Sequence, residues 1–308
     1  MKRLFFLTLL LCAVVSQGFE VDWTKAKTVQ TGISLLSLEY TEPRLIKAYI
    51  MRVDMSTPGL RFMGTPRDPD WGKPMPDWKE KKPEAKPIPI HTKREKTNVY
   101  LETARKPQQD GGLGRNVIAA FNTTPWSPWC APWTWQYARL SGTNVTDGVV
   151  LSSAKGHEAI FVVHQNNRME IVKSLDTQNE ELLKDIVLAC SGFAILCKDG
   201  ALAETPGKYE TALHPRLAVG FDKEQKFLYV VAVDGRKEGW SLGMAGQELA
   251  QLLLDAGVSD GVNMDGGGSA TMCYWDAEAQ KTVLVNKACG SAFYRPVSYN
   301  VGIYLKKD

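Results

Sequence analysis

From residue 117 onward the sequence is a succession of short apolar runs: VIAAF, AIFVV, IVLAC, FAILC, RLAVGF, FLYVVAV, TVLVN and NVGIYL. Each is short and most are rich in β-branched residues, and turn signals such as Lys198-Asp199-Gly200 and Gln165-Asn166-Asn167 part them. A chain punctuated in this way must fold mainly as sheet. Upstream, IKAYIMRVDMSTPGLRFM over 46–63 reads as two strands around a Pro-Gly turn. Two segments read as helices. Thr177 to Glu180 has capping-box spacing ahead of Leu182, Leu183 and Ile186. Residues 244–256 put Leu249, Leu252 and Leu253 on one helical face, with Gly257 as the natural terminator. The expected fold class is α+β, mostly β, with mixed sheets and two or three helices.

Residues 1–18 read as a signal peptide, with Lys2 and Arg3 ahead of LFFLTLLLCAVV and small residues at Ser16 and Gly18. This predicts an exported protein, periplasmic or secreted. A lipid anchor through Cys12 fits less well, because Leu11 stands where a lipobox wants a small residue. No later run has the ~18 apolar residues of a membrane span. Residues 19–308 are then a single domain. Within it, 66–96 carries seven prolines among many lysines and reads as an exposed loop, its charges a solvated face. Without Lys2 and Arg3, 35 basic residues face 34 acidic ones, a balance that calls for no nucleic acid and no anionic membrane. Five cysteines remain beyond the leader, too few and too odd for a disulfide scaffold. Cys190 and Cys197 are close enough to pair across a hairpin, and buried thiols serve equally well.

The chemistry concentrates in GVNMDGGGSATM, residues 261–272. Gly266, Gly267 and Gly268 allow positive φ and let backbone approach a ligand, and amides in such a turn can bind an anion. Asp265 beside them would repel an anion unless it is protonated or acts on a different atom. No Gly-Lys-Ser/Thr follows, so the stretch is not a Walker loop. A bare turn is the simpler alternative, and it is the neighbours that shift the balance. VVAVDGR delivers Asp234, Gly235 and Arg236 at a strand end, HPRLAVGFD puts Arg216 at a strand start, and YRPVSYNVGIY adds Arg295 and Asn300. Three guanidinium groups at strand ends would make a clamp for phosphate. Trp126, Trp129, Trp133 and Trp135, among prolines, form either a sugar-stacking platform or a local mini-core. The four histidines lack metal-ligand spacing, and Ser269 is in no nucleophile elbow. Asn122-Thr-Thr and Asn144-Val-Thr are glycosylation sequons by pattern.

Seven pieces in order, AAFNTTP, SGFAILCKDG, HPRLAVGFD, LYVVAVDGR, GM-x-ELA-x-LLL, GVNMDGGGSATM and RPVSYNVGIY, resemble the phosphodiester glycosidase family over residues 115–308. The resemblance implies hydrolysis between an anomeric sugar carbon and a phosphodiester oxygen, with an α-linked N-acetylglucosamine-type sugar. It implies catalysis by Asp265 and Asp234, and substrate or phosphate binding by Asn122, Arg216, Gly235, Arg236, Asn263, the glycines 266–268, Ser269 and Arg295. It implies no cofactor and a sugar-1-phosphodiester or phosphoglycan as partner. Two departures, NTTPWSPWCAPWTW and Ser191-Gly192-Phe193, bear on the sugar more than on the reaction. If the tryptophan run is a platform rather than a mini-core, Trp126, Trp129 and Trp133 are the residues to stack on it. The rival expectations are a glycan-binding protein without turnover, and a phosphodiesterase with a divalent cation between Asp234 and Asp265. Two aspartates without histidines make a poor metal site.

Overall fold

The computed structural model of the chain describes residues 18–131, 133–157, 159–203, 211–289 and 294–306. The expected leader, Cys12 included, lies outside them except for Gly18. Among the described residues the strands form four sheets. The largest runs Lys27–Gln30, Ile33–Tyr40, Ile46–Asp54, Phe227–Val233, Arg216–Phe221, Asp260–Asn263, Ala194–Lys198 and Ala201–Leu202. A second runs Val149–Ser153, Thr143–Thr146, Ile186–Ser191, Ile160–His164 and Met169–Val172. The third runs Lys281–Leu284, Met272–Asp276, Asn116–Asn122, Asn300–Leu305 and Leu60–Gly64. A small sheet joins Thr92–Lys93, Tyr137–Leu140 and Trp126–Ser127. The α+β, mostly β class holds, with antiparallel ladders where mixed directions were expected.

The run FLYVVAV lacks polar alternation because its sheet is covered on both faces. On one side Leu217, Val219, Leu228, Val230 and Val262 share a core with Phe161 and Leu188 of the second sheet and Phe121 and Val301 of the third. On the other, Ala218, Val231 and Val233 pack under Leu249, Leu252 and Leu253 of helix Gly246–Asp255. That helix is where the leucine spacing puts it, and Gly257 ends it at φ 99°. The Pro58-Gly59 turn does not close a hairpin. Ile46–Asp54 pairs with Phe227–Val233, whereas Leu60–Gly64 pairs with Asn300–Leu305, so the turn carries the chain from one sheet to another.

Several local expectations give way. Asn179, not Thr177, caps helix Glu180–Asp185, its side chain accepting from Leu182 N at 3.1 Å. The 66–96 segment is not an open loop: Pro76–Lys81 is helical, Thr92–Lys93 is a strand, and Met75 and Ile90 are buried. Pro76 is tolerated because the first helical position has no amide partner to lose. Helix Thr97–Arg105 was missed, although Thr97, Tyr100, Leu101 and Ala104 have helical spacing and are its buried face. Cys190 and Cys197 are free buried thiols on strands of different sheets and are not paired. Both sequon asparagines are buried side chains, Asn122 at 1% and Asn144 at 0% exposure, and neither can carry a glycan in the folded protein.

Leu252 is fully buried between helix and sheet. Leu252→Ala should cost ~2–5 kcal/mol in urea unfolding. A loss well under that range would mean the helix is only loosely attached to the sheet.

Candidate active site

The glycine turn joins two sheets. Asp260–Asn263 leads into it from the largest sheet, and Met272–Asp276 leads out into the third. Asn122, the last residue of a third-sheet strand, clasps both ends. Its Nδ2 donates to Asp265 O at 2.8 Å and its Oδ1 accepts from Thr271 N at 2.9 Å. The Asp265 amide donates to Thr123 O at 2.6 Å, completing the clasp. Asn122 therefore shapes the turn, and its side-chain amide is spent on protein.

The turn's glycines answer to their neighbours. A methyl on Gly266 would lie 2.6 Å from Pro215 O, and one on Gly268 would lie 2.5 Å from Arg295 Nη2. The amides of Gly267 and Ser269 already donate to Pro215 O and Gly266 O, so an anion is left mainly to the guanidinium groups. Arg236 and Arg295 both reach the turn, Arg236 Nη1 standing 3.4 Å from where a Gly267 methyl would be. Arg216 does not join them. It is buried, with Nε donating to Met244 O at 2.9 Å and Nη2 to Ala212 O at 2.7 Å. Of the three arginines, Arg236 and Arg295 have their guanidinium groups beside the turn. Gly235 likewise serves close packing: a methyl there would meet Pro215 N at 2.6 Å.

The two aspartates differ. Asp234 is buried with both oxygens engaged: Oδ1 accepts from Lys287 N at 2.8 Å, and Oδ2 from Trp240 Nε1 at 2.7 Å and from Tyr49 OH at 3.4 Å. Burial raises its pKa against these donors. Asp265 is partly exposed as a residue, yet its Oδ2 is buried and has no hydrogen-bond partner. Burial pushes its carboxyl up to about 7, opposed by the Ser269 hydroxyl, the Arg295 charge, the Trp126 indole and the Arg94 charge. Asn263 Oδ1, two residues earlier, is a second buried acceptor without a donor. Unpaired buried acceptors at one turn are costly unless a ligand, a water or a proton meets them. Asp234 is committed to protein donors, so a cation bridging the two aspartates has no free second carboxylate.

The tryptophans divide. Trp126 and Trp135 are buried, Trp129 is 75% exposed, and Trp133 lies under Arg295, whose guanidinium is 4.0 Å from its ring centroid. Trp126 is therefore a wall of the site and not an open platform. Arg94 was hidden in a charge run that read as a solvated face. It is buried at 6% exposure and stacks 4.0 Å from the Trp126 ring. It donates to Trp133 O, Trp135 O and Pro296 O, tying the tryptophan loop to the segment that carries Arg295. Burial and the nearby Arg295 charge push its pKa down to about 10. Buried arginine spent on carbonyls leaves no periodic signal in sequence.

Residues 136–304, more than half of the chain, match the phosphodiester glycosidase family, and the chain belongs to it. Asn122 and the stretch from Trp126 to Trp133 lie outside the matched span. The N-acetylglucosamine-1-phosphodiester α-N-acetylglucosaminidase of Bos taurus is 33% identical over 146 residues, covering 42% of this chain and 27% of that protein. The chain thus spans about a quarter of that relative's length. The zebrafish catalytic domain of the same name, a structure auto-inhibited by its pro-peptide, superposes with a TM-score of 0.58 at 18% identity over 92% of this chain and 87% of that one. A Synechocystis protein gives 0.60 at 10% identity over 89% and 62%. At such identities these two likenesses speak to the fold alone.

The geometry leads to two expected outcomes. Gly268→Ala should push Arg295 off Trp133 and raise the KM for a phosphodiester on the order of tenfold, while the thermal midpoint changes little because the clash is with a flexible side-chain end; an unchanged KM would separate Arg295 from substrate. The second concerns Asp265, whose folded-state value near 7 exceeds its ordinary 3.8. Its stabilising contribution is complete below the unfolded value and is lost as pH rises through the folded one. Asp265→Asn should therefore gain on wild type in thermal midpoint between about pH 4 and 7.5. A difference independent of pH would return Asp265 to an ordinary carboxylate.

Proposed function

We propose that the protein is an exported hydrolase that cleaves the C1–O bond of a sugar-1-phosphodiester, with an α-linked N-acetylglucosamine-type sugar. The observation that carries this reading is the pairing of one unpartnered buried carboxylate oxygen, Asp265 Oδ2, with two guanidinium groups on the same turn. A plain glycoside needs no cationic clamp, and a simple phosphate-binding turn needs no carboxylate. A substrate with phosphate beside an anomeric carbon needs both.

In this reading Arg236 and Arg295 hold the phosphodiester and stabilise the charge that its oxygen takes up on departure. Phosphate is a good leaving group, so protonating it matters less than for an ordinary glycoside. Asp265 stabilises the oxocarbenium-like centre, as nucleophile or as base for water. Asp234 acts through Trp240 and the Lys287 backbone, holding the rim rather than meeting the sugar. Trp129, which is exposed, and the partly exposed Trp133 are the surfaces left for stacking on the sugar or on the group beyond the phosphate. The apolar leader supports export, and among the described residues no helix is long and apolar enough to cross a membrane.

The test is hydrolysis of a synthetic α-N-acetylglucosamine-1-phosphodiester in ¹⁸O water. Label on the C1 hydroxyl is expected, and Asp265→Asn should reduce turnover by a factor of ~10³ or more if it carries the covalent or base step. Label on phosphate would replace the glycosidase with a phosphodiesterase. Binding without product would favour a lectin-like role.

A further inference from the structure

His214 precedes Pro215 and lies against the Gly243 turn, its backbone bridged in both directions to Met244 at 3.2 and 3.1 Å. Its ring meets Arg236. Arg236 Nη2 lies 2.9 Å and Nε 3.3 Å from His214 Nδ1. Arginine has only donors, so Nδ1 must be the unprotonated acceptor and the ring proton must sit on Nε2. With Nε and Nη2 turned to the imidazole, the remaining amino group of Arg236, Nη1, is the one nearest the Gly267 turn. Arg236 itself has a positive φ of 54°, a conformation that a free surface arginine has no reason to hold.

We propose that His214 is a positioning residue for phosphodiester binding: as a neutral acceptor it fixes the Arg236 guanidinium so that Nη1 faces the anion at the glycine turn. This deepens the glycosidase reading and rests on it for the identity of the anion. Protonating the imidazole would remove the acceptor and set two cations side by side, releasing Arg236 from the turn. Among the described residues the charges acting on His214 are Arg236 and Arg216, both cationic. Burial first, then Arg236 and Arg216, hold its pKa below the ordinary value, against a hydrogen bond to the Leu213 backbone that favours the charged ring. The pairing therefore sets the acid limit of substrate binding.

The probe is dimethyl phosphate, a monoanion that does not titrate between pH 4 and 8, followed by NMR with ¹⁵N-histidine labelling. The His214 ring should show Nε2–H at neutral pH, and dimethyl phosphate affinity should fall on the order of tenfold as the ring protonates. His214→Ala should lose a similar factor at neutral pH. His214→Asn, whose Oδ1 can accept from Arg236 and cannot take a proton, should restore the affinity and flatten its pH dependence. An Nδ1–H ring, no binding of dimethyl phosphate, or a pH profile shared by wild type and His214→Asn would overturn the proposal. Failure of the glycosidase reading would look different: dimethyl phosphate binding that depends on His214, with no sugar released from any sugar-1-phosphodiester.

Discussion

The site depends on the side-chain amide of Asn122. Its two bonds fasten both ends of the glycine turn to the end of one strand, and the backbone bonds of Asp265 to Thr123 and of Gly267 to Pro215 add to that hold. A glycine-rich segment loses more conformational entropy on ordering than any other, so a fixed shape must be imposed from outside. Asn122 imposes it from within the core, at 1% exposure, where the amide has no water to compete. Every other contact of the site presupposes that shape, from Arg295 beside Gly268 to the unpartnered oxygen of Asp265.

Around this clasp the molecule spends its arginines in two ways. Arg94 and Arg216 are buried and turned to backbone carbonyls, where they join loops. Arg236 and Arg295 are oriented by neutral partners, an imidazole and an indole, which do not neutralise their charge. Cations held by uncharged supports keep their field available to a ligand. The same division separates the aspartates. Burial opposes charge on both, yet Asp234 has donors on both oxygens whereas Asp265 keeps one oxygen unmet.

Much of this was legible in the chain. Apolar runs flanked by turn residues located the strands, because a strand buried on both faces must be continuously apolar over a short length, as FLYVVAV is. The leucine spacing and Gly257 located helix Gly246–Asp255 for an equally local reason. The glycine turn with Asp265 could be marked as chemical, since few folds put bare backbone next to a buried carboxylate without a use. What escaped depended on tertiary context. Arg94 and His214 carry no pattern in their own neighbourhoods, and Arg216 cannot be told from Arg236 until the donors are traced to their acceptors. The prolines of 66–96 misled because proline excludes helix interiors and not helix beginnings. Thr97–Arg105 was different, since its spacing was present in the sequence and was missed.

The passage of the chain through Pro58-Gly59 into a different sheet has a consequence for synthesis. Leu60–Gly64 pairs with Asn300–Leu305, and the same late strand pairs with Asn116–Asn122 on its other side. The sheet that holds Asn122 cannot close until residues near 300 have left the ribosome, and the site is among the last parts of the molecule to exist. Contacts between such distant segments make folding slow compared with chains dominated by local pairing.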